Sequence, residues 1–113
     1  MRQRGWIGVD LDGTLAYYDG WKGVSHVGAP IKPMCDRVRR ILDDDDYDVK
    51  VFTARVHGIV DEESERAIKG PIEEFCMEQF GRVLEITNVK DFAMVILYDD
   101  RAYRVEFNTG LIV

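Results

Sequence analysis

The stretch Gly8-Val9-Asp10-Leu11-Asp12-Gly13-Thr14-Leu15-Ala16-Tyr17-Tyr18-Asp19-Gly20 decides how the rest of the chain is read. It follows Trp6 and Ile7, so a short apolar run emerges from a core directly into two aspartates. Carboxylates placed so close repel each other, and each loses solvation when buried. A positive partner, a metal or a lysine, is expected between them. Gly13 lets the backbone turn sharply after the second acid.

Working outward, similar apolar and β-branched runs recur at 49–53 (VKVFT), 82–87 (RVLEIT), 94–99 (MVILYD) and 103–107 (YRVEF). Those at 49–53 and 94–99 are nearly continuously apolar, the pattern of strands buried on both faces. Helical periodicity separates them. Met34, Val38, Ile41 and Leu42 share one face over 30–43, and Ile68, Ile72, Phe75, Cys76 and Phe80 share one over 61–80. Gly70-Pro71 is expected to break the second helix in two, and Gly81 to cap it. The alternation predicts an α/β fold, a Rossmann-like three-layer sandwich with helices on both faces of a mainly parallel five-stranded sheet.

The chain has 113 residues, which predicts one domain over 1–113. Its 46% hydrophobic content suits a folded globule, and no apolar run approaches a membrane span or a secretory leader. A cytoplasmic protein is expected, with Cys35 and Cys76 as free, buried thiols. With 21 acidic against 15 basic residues and a net charge of −6, nothing marks a nucleic-acid or membrane-binding surface. The run Asp43-Asp44-Asp45-Asp46-Tyr47-Asp48 reads as a solvated acidic turn, since it lacks the spacing of a calcium loop.

In parallel sheets ligands bind beyond the carboxyl ends of the strands. That rule places Asp10, Asp12, Gly13 and Thr14, then Thr53 and Arg55, then Thr87, Asn88 and Lys90, then Asp99 and Asp100 on one rim. Carboxylates with water suit Mg²⁺, and lysine with threonine suits a phosphate. A carboxylate can attack phosphorus, and a second acid two positions on can move the protons. Arg55 stands next to this rim as a contact for substrate or a partner for an acid. Tyr17, Tyr18 and Trp21 follow the first motif and either flank the site or pack on the fold. His26 and His57 read as solvent-exposed loop residues.

These residues carry a resemblance. Asp10-Leu11-Asp12-Gly13-Thr14-Leu15-Ala16 resembles the first motif of the haloacid-dehalogenase-like phosphohydrolases, Val51-Phe52-Thr53-Ala54-Arg55 the second, and Tyr98-Asp99-Asp100-Arg101-Ala102 the fourth. The resemblance implies a Mg²⁺-dependent hydrolase of phosphomonoesters working through an aspartyl-phosphate. It implies Asp10 as nucleophile, Asp12 as general acid and base, and Thr53 with Lys90 as phosphate binders, helped by Gly13 and Arg55. Lys69 is the alternative lysine. Mg²⁺ would rest on Asp10, Asp99 and the backbone carbonyl of Asp12, with Asp100 behind a water. Short intervals between the motifs imply no cap domain, so selection falls to short loops, a neighbouring subunit or the substrate's own bulk. A homo-oligomer stays open as an assembly. The expected substrate is a small phosphorylated metabolite or mononucleotide. A receiver-like phosphoacceptor or a non-catalytic binding domain is the competing reading.

Overall fold

β1, Trp6–Val9, is buried along its whole length. In the computed structural model, which describes residues 4–113, it lies inside a sheet of order β3-β2-β1-β4. β2 is Asp48–Phe52, β3 is Glu85–Thr87 and β4 is Met94–Tyr98. Every pairing is parallel: Val9 stands opposite Val51 and Tyr98, and Val51 opposite Ile86. All carboxyl ends therefore open on one edge.

α1, Lys32–Asp44, joins β1 to β2, and α2, Glu62–Phe80, joins β2 to β3. Both crossovers step in the same direction across the sheet. A right-handed connection then puts both helices on the same face. The core shows this. Ile7, Val9, Val49, Val51 and Ile86 meet Cys35, Val38 and Leu42 of α1 and Ile72, Phe75 and Cys76 of α2. The expectation of helices on both faces is corrected to two layers. β4 lies on the far side of β1, and the short link after β3 carries no helix that could cover the second face. There Trp6 covers the sheet together with Met94 and Leu97, whose side-chain ends lie beside its ring over Gly8. Trp6 is 1% exposed, donates from Nε1 to Asp91 at 2.7 Å, and sits under the Lys50 ammonium, 4.5 Å from the ring.

The sheet has four strands, not five. The run at 103–107 has strand composition, but it does not reach β4. Asn108 and Gly110, at φ 63° and 76°, turn the chain back so that Val105 bridges Ile112 in a small antiparallel loop. Backbone pairing within that loop, Glu106 N to Leu111 O at 2.8 Å, replaces pairing with the sheet. β4 is therefore an edge, and Val95 and Ile96 are exposed where burial on both faces was expected.

α2 is one continuous helix with Pro71 inside it, against the expected break. Proline removes one backbone hydrogen bond, at a cost of about 3 kcal/mol in a helix interior. Burial of Ile68, Ile72, Phe75 and Cys76 on one stripe offsets it, because fully burying such side chains is worth about 1.5–3 kcal/mol each. The start is fixed by a reciprocal cap: Asp61 accepts from the Ser64 amide at 2.8 Å, and Ser64 Oγ accepts from the Asp61 amide at 3.0 Å. Gly81 caps the end at φ 69°. Cys35 and Cys76 are free and buried, and burial pushes both thiols up. The acidic run at 43–48 is exposed at the opposite edge from the carboxyl ends, with Arg4 bonded to Asp45 at 2.9 Å. No helix among the described residues is long and apolar enough to cross a membrane.

Candidate functional site

β1 delivers Asp10 to the rim as its first residue beyond the ladder, held by its amide to the Tyr98 carbonyl at 2.9 Å. The chain then folds tightly on itself. The amides of Leu15 and Ala16 both reach back to the Leu11 carbonyl at 2.9 Å, which plants Leu11 and Leu15 in the core and turns Asp12 outward. Gly13 has φ 86°. A Cβ there would lie 2.9 Å from Asp100 Oδ2, so both the turn and the close approach of Asp100 require glycine.

β4 delivers the second pair of acids. One oxygen each from Asp10, Asp99 and Asp100 lies within 4.8 Å of the others. Thr14 holds the third of these in place: its hydroxyl donates to Asp100 Oδ1 at 2.9 Å and accepts from the Asp100 amide at 3.2 Å. Crowding has an electrostatic consequence. Burial, then the Asp99 charge, then a hydrogen bond with Asp100 push the Asp10 carboxyl up to about 7. Burial and the neighbouring acids both disfavour the ionised form.

β2 delivers Thr53, which is 2% exposed and lines the cavity above Asp10. Its hydroxyl accepts from the Arg55 amide at 3.2 Å and caps a short 3-10 turn, Ala54–Gly58. That turn sends the Arg55 side chain back across the rim. Nε meets Asp12 Oδ2 at 2.9 Å and Nη2 meets Oδ1 at 2.7 Å. The same guanidinium donates to the carbonyls of Val24 and His26 and lies 5.0 Å from the Trp21 ring. Arg55 thus pairs with an acid. Each Asp12 oxygen keeps a second lone pair, so the grip orients the carboxylate without closing it.

Two cavities open on Asp10. One, about 460 Å³, is lined by Asp12, Thr53 and Asp100 together with Tyr18, Trp21 and Arg55. The other, about 550 Å³, is lined by Asn88, Asp99 and His57 among others. Arg101 lines both. Lys90 lines neither; it is exposed in the link before β4. Lys69 stands on the surface of α2, 3.4 Å from Glu65. Thr14, Asn88 and Arg101 are rim residues to which the sequence reading assigned no role. The signal for Arg101 was available, because it directly follows the Asp99-Asp100 pair. Among the described residues, no ion pair engages its guanidinium.

The donor set fits a hard divalent cation. Asp10, Asp99 and Asp100 offer oxygens alone, the donor type that hard cations take. The Asp12 carboxylate is turned to Arg55 and is not part of that cluster. Comparison of the chain with protein-family models, with curated proteins and with solved structures returns no match.

Proposed function

We propose that the chain is a Mg²⁺-dependent phosphomonoester hydrolase with Asp10 as its nucleophile. The observation that carries this reading is the position of Asp10. It is the one carboxylate that belongs to the acidic cluster and lines both cavities. A group placed so can meet a metal and a substrate at once.

The chemistry follows from the residues. An Asp10 oxygen forms a bond to phosphorus as the ester P–O bond breaks. For this step Asp12 must carry a proton on a lone pair that Arg55 leaves open, and it passes that proton to the leaving oxygen. In the second half Asp12 takes a proton from water, the water oxygen bonds to phosphorus, and the Asp10–phosphorus bond breaks to release inorganic phosphate. Thr53 presents a buried hydroxyl to the phosphoryl oxygens. Arg101 supplies the cation of the site in place of Lys90, since it lines both cavities. Mg²⁺ bound to Asp10, Asp99 and Asp100 would offset the repulsion between the nucleophile and the phosphoryl group.

The test is hydrolysis of a panel of phosphorylated metabolites and nucleotides by purified protein, with and without Mg²⁺. Metal-dependent phosphate release that disappears in Asp10→Asn supports the reading. Release that persists in that variant, or none from any ester, refutes it.

A further inference from the structure

The cavity above Asp10 that Thr53 and Trp21 line has a size typical of small-ligand sites, about 460 Å³. Its lining is of two kinds. One part is polar and belongs to the rim: Asp10, Asp12 and Thr53. The other is apolar and aromatic: Trp21, Tyr18 and Ile68. Trp21 is 56% exposed and Tyr18 47%, a large aromatic area left open beside a cluster of charges. Exposed apolar surface of this kind, lining a cavity, is the mark of a ligand wall.

The wall is held in place. Tyr18 and Trp21 ride on a strap over residues 17–29 whose ends meet, with the Tyr17 amide on the Ala29 carbonyl at 2.8 Å. Gly28 passes so near Tyr17 that a Cβ would stand 1.9 Å from its carbonyl oxygen. Arg55 ties the far part of the strap to the site through the Val24 and His26 carbonyls, at 3.3 and 2.9 Å, while stacking on the Trp21 ring. A ring fixed in this way loses little freedom when a second ring packs on it.

We propose that this cavity selects nucleoside monophosphates, with the phosphate at Asp10 and Thr53 and the base stacked on the Trp21–Tyr18 wall. The placement of the phosphate rests on the phosphatase reading above. A sugar phosphate alone would leave the aromatic wall wet. A polynucleotide would need a track of cations; the cationic side chains lining this cavity are Arg55, taken by Asp12, and Arg101.

Two measurements test this separately from the chemistry. The first is binding to the Asp10→Asn protein, followed by intrinsic fluorescence. The chain has two tryptophans, and Trp6 is buried away from the cavity. Adenosine 5′-monophosphate should quench the emission and ribose 5-phosphate should not, and the quench should vanish in Trp21→Ala. The second is the ratio of kcat/KM for the nucleotide to that for the sugar phosphate. Base stacking on an aromatic is worth about 1–3 kcal/mol, so Trp21→Ala should lower this ratio by roughly 5- to 150-fold and Trp21→Phe by much less. Quenching through Trp21 without hydrolysis of either ester would remove the phosphatase reading and keep the subsite. Hydrolysis of both esters at a ratio that Trp21→Ala does not change, with no Trp21-dependent quench, would overturn the subsite and keep the phosphatase.

Discussion

Arg55 grips Asp12 with two nitrogens, Nε and Nη2, at 2.9 and 2.7 Å, and its side chain is only 5% exposed. One residue thereby joins the acid, the carbonyls of the strap and the Trp21 ring. A point charge cannot reproduce that geometry, because the fork of the guanidinium matches the carboxylate oxygens. Arg55→Lys should therefore behave more like Arg55→Ala than like wild type. Loss of charge-assisted bonds worth about 1.5–3 kcal/mol predicts a fall in kcat/KM of roughly 10- to 150-fold for both. Steady-state kinetics on the three proteins decides it, and full activity in Arg55→Lys would show that charge alone suffices.

The Asp10 carboxyl gives a pH signature in the metal-free protein. It sits near 7 in the fold and near its ordinary value once unfolded. The folded state then holds the proton more tightly, so this contribution to stability is fully present below the unfolded pKa. It is lost as the pH rises through about 7. Asp10→Asn removes the charge and should raise the metal-free Tm at pH 8 by a few degrees, about 1 kcal/mol after solvent screening, with little change at pH 4. Thermal melts of both proteins across that range, in EDTA, make the comparison. A Tm difference independent of pH would refute the assignment.

Added Mg²⁺ should invert that behaviour. A cation held by Asp10, Asp99 and Asp100 favours their ionised forms and binds only the folded state. At a concentration 100 times Kd it stabilises by about 2.7 kcal/mol. Wild-type Tm at pH 8 should rise with millimolar Mg²⁺, and Asp100→Asn should blunt the rise. A chelator should stop turnover reversibly. Differential scanning fluorimetry with a Mg²⁺ titration reads the first effect, and activity regained on metal return reads the second.

The two basic candidates for the phosphate separate by kinetics. Both are exposed, but Arg101 lines both cavities and Lys90 lines neither. Arg101→Ala should raise KM by about tenfold or more, the worth of one charge-assisted contact. Lys90→Ala should have the smaller effect. The reverse order would restore the lysine expected from the motif pattern.

Pro71 offers a test confined to the fold. Within α2 it leaves one carbonyl of the preceding turn without its helical donor. Pro71→Ala restores the amide and should stabilise the protein by about 1 kcal/mol or more, since alanine is far better in a helix interior. Chemical denaturation midpoints measure it. Destabilisation would mean that the packing of Ile72 and Phe75 depends on the proline's own backbone angle.

Period and punctuation in the sequence were enough for β1, β2, β4, α1, the extent of α2 and the Gly81 cap, because each is a local choice made by apolar spacing and turn chemistry; the break expected at Gly70-Pro71 was overridden by packing. They were also enough to line up Asp10, Asp12, Thr53, Asp99 and Asp100, since strand ends are legible and a parallel sheet puts them on one edge. The strand expected at 103–107 was not decided locally. Its composition suits a sheet, but pairing depends on where Asn108 and Gly110 turn the chain. The second layer of helices failed for a global reason. Handedness and strand order together put both crossovers on one face, and no single segment carries that information. At the site, the sequence left Arg55 open between substrate and acid, and only folding set it against Asp12, forty-three positions away in the chain. The same long-range closure brought Thr14 to Asp100 and both cavities to Arg101. Motif spacing places residues along the chain; which charges neutralise each other, and which remain free to meet a substrate, is fixed by distances that only the packed structure sets.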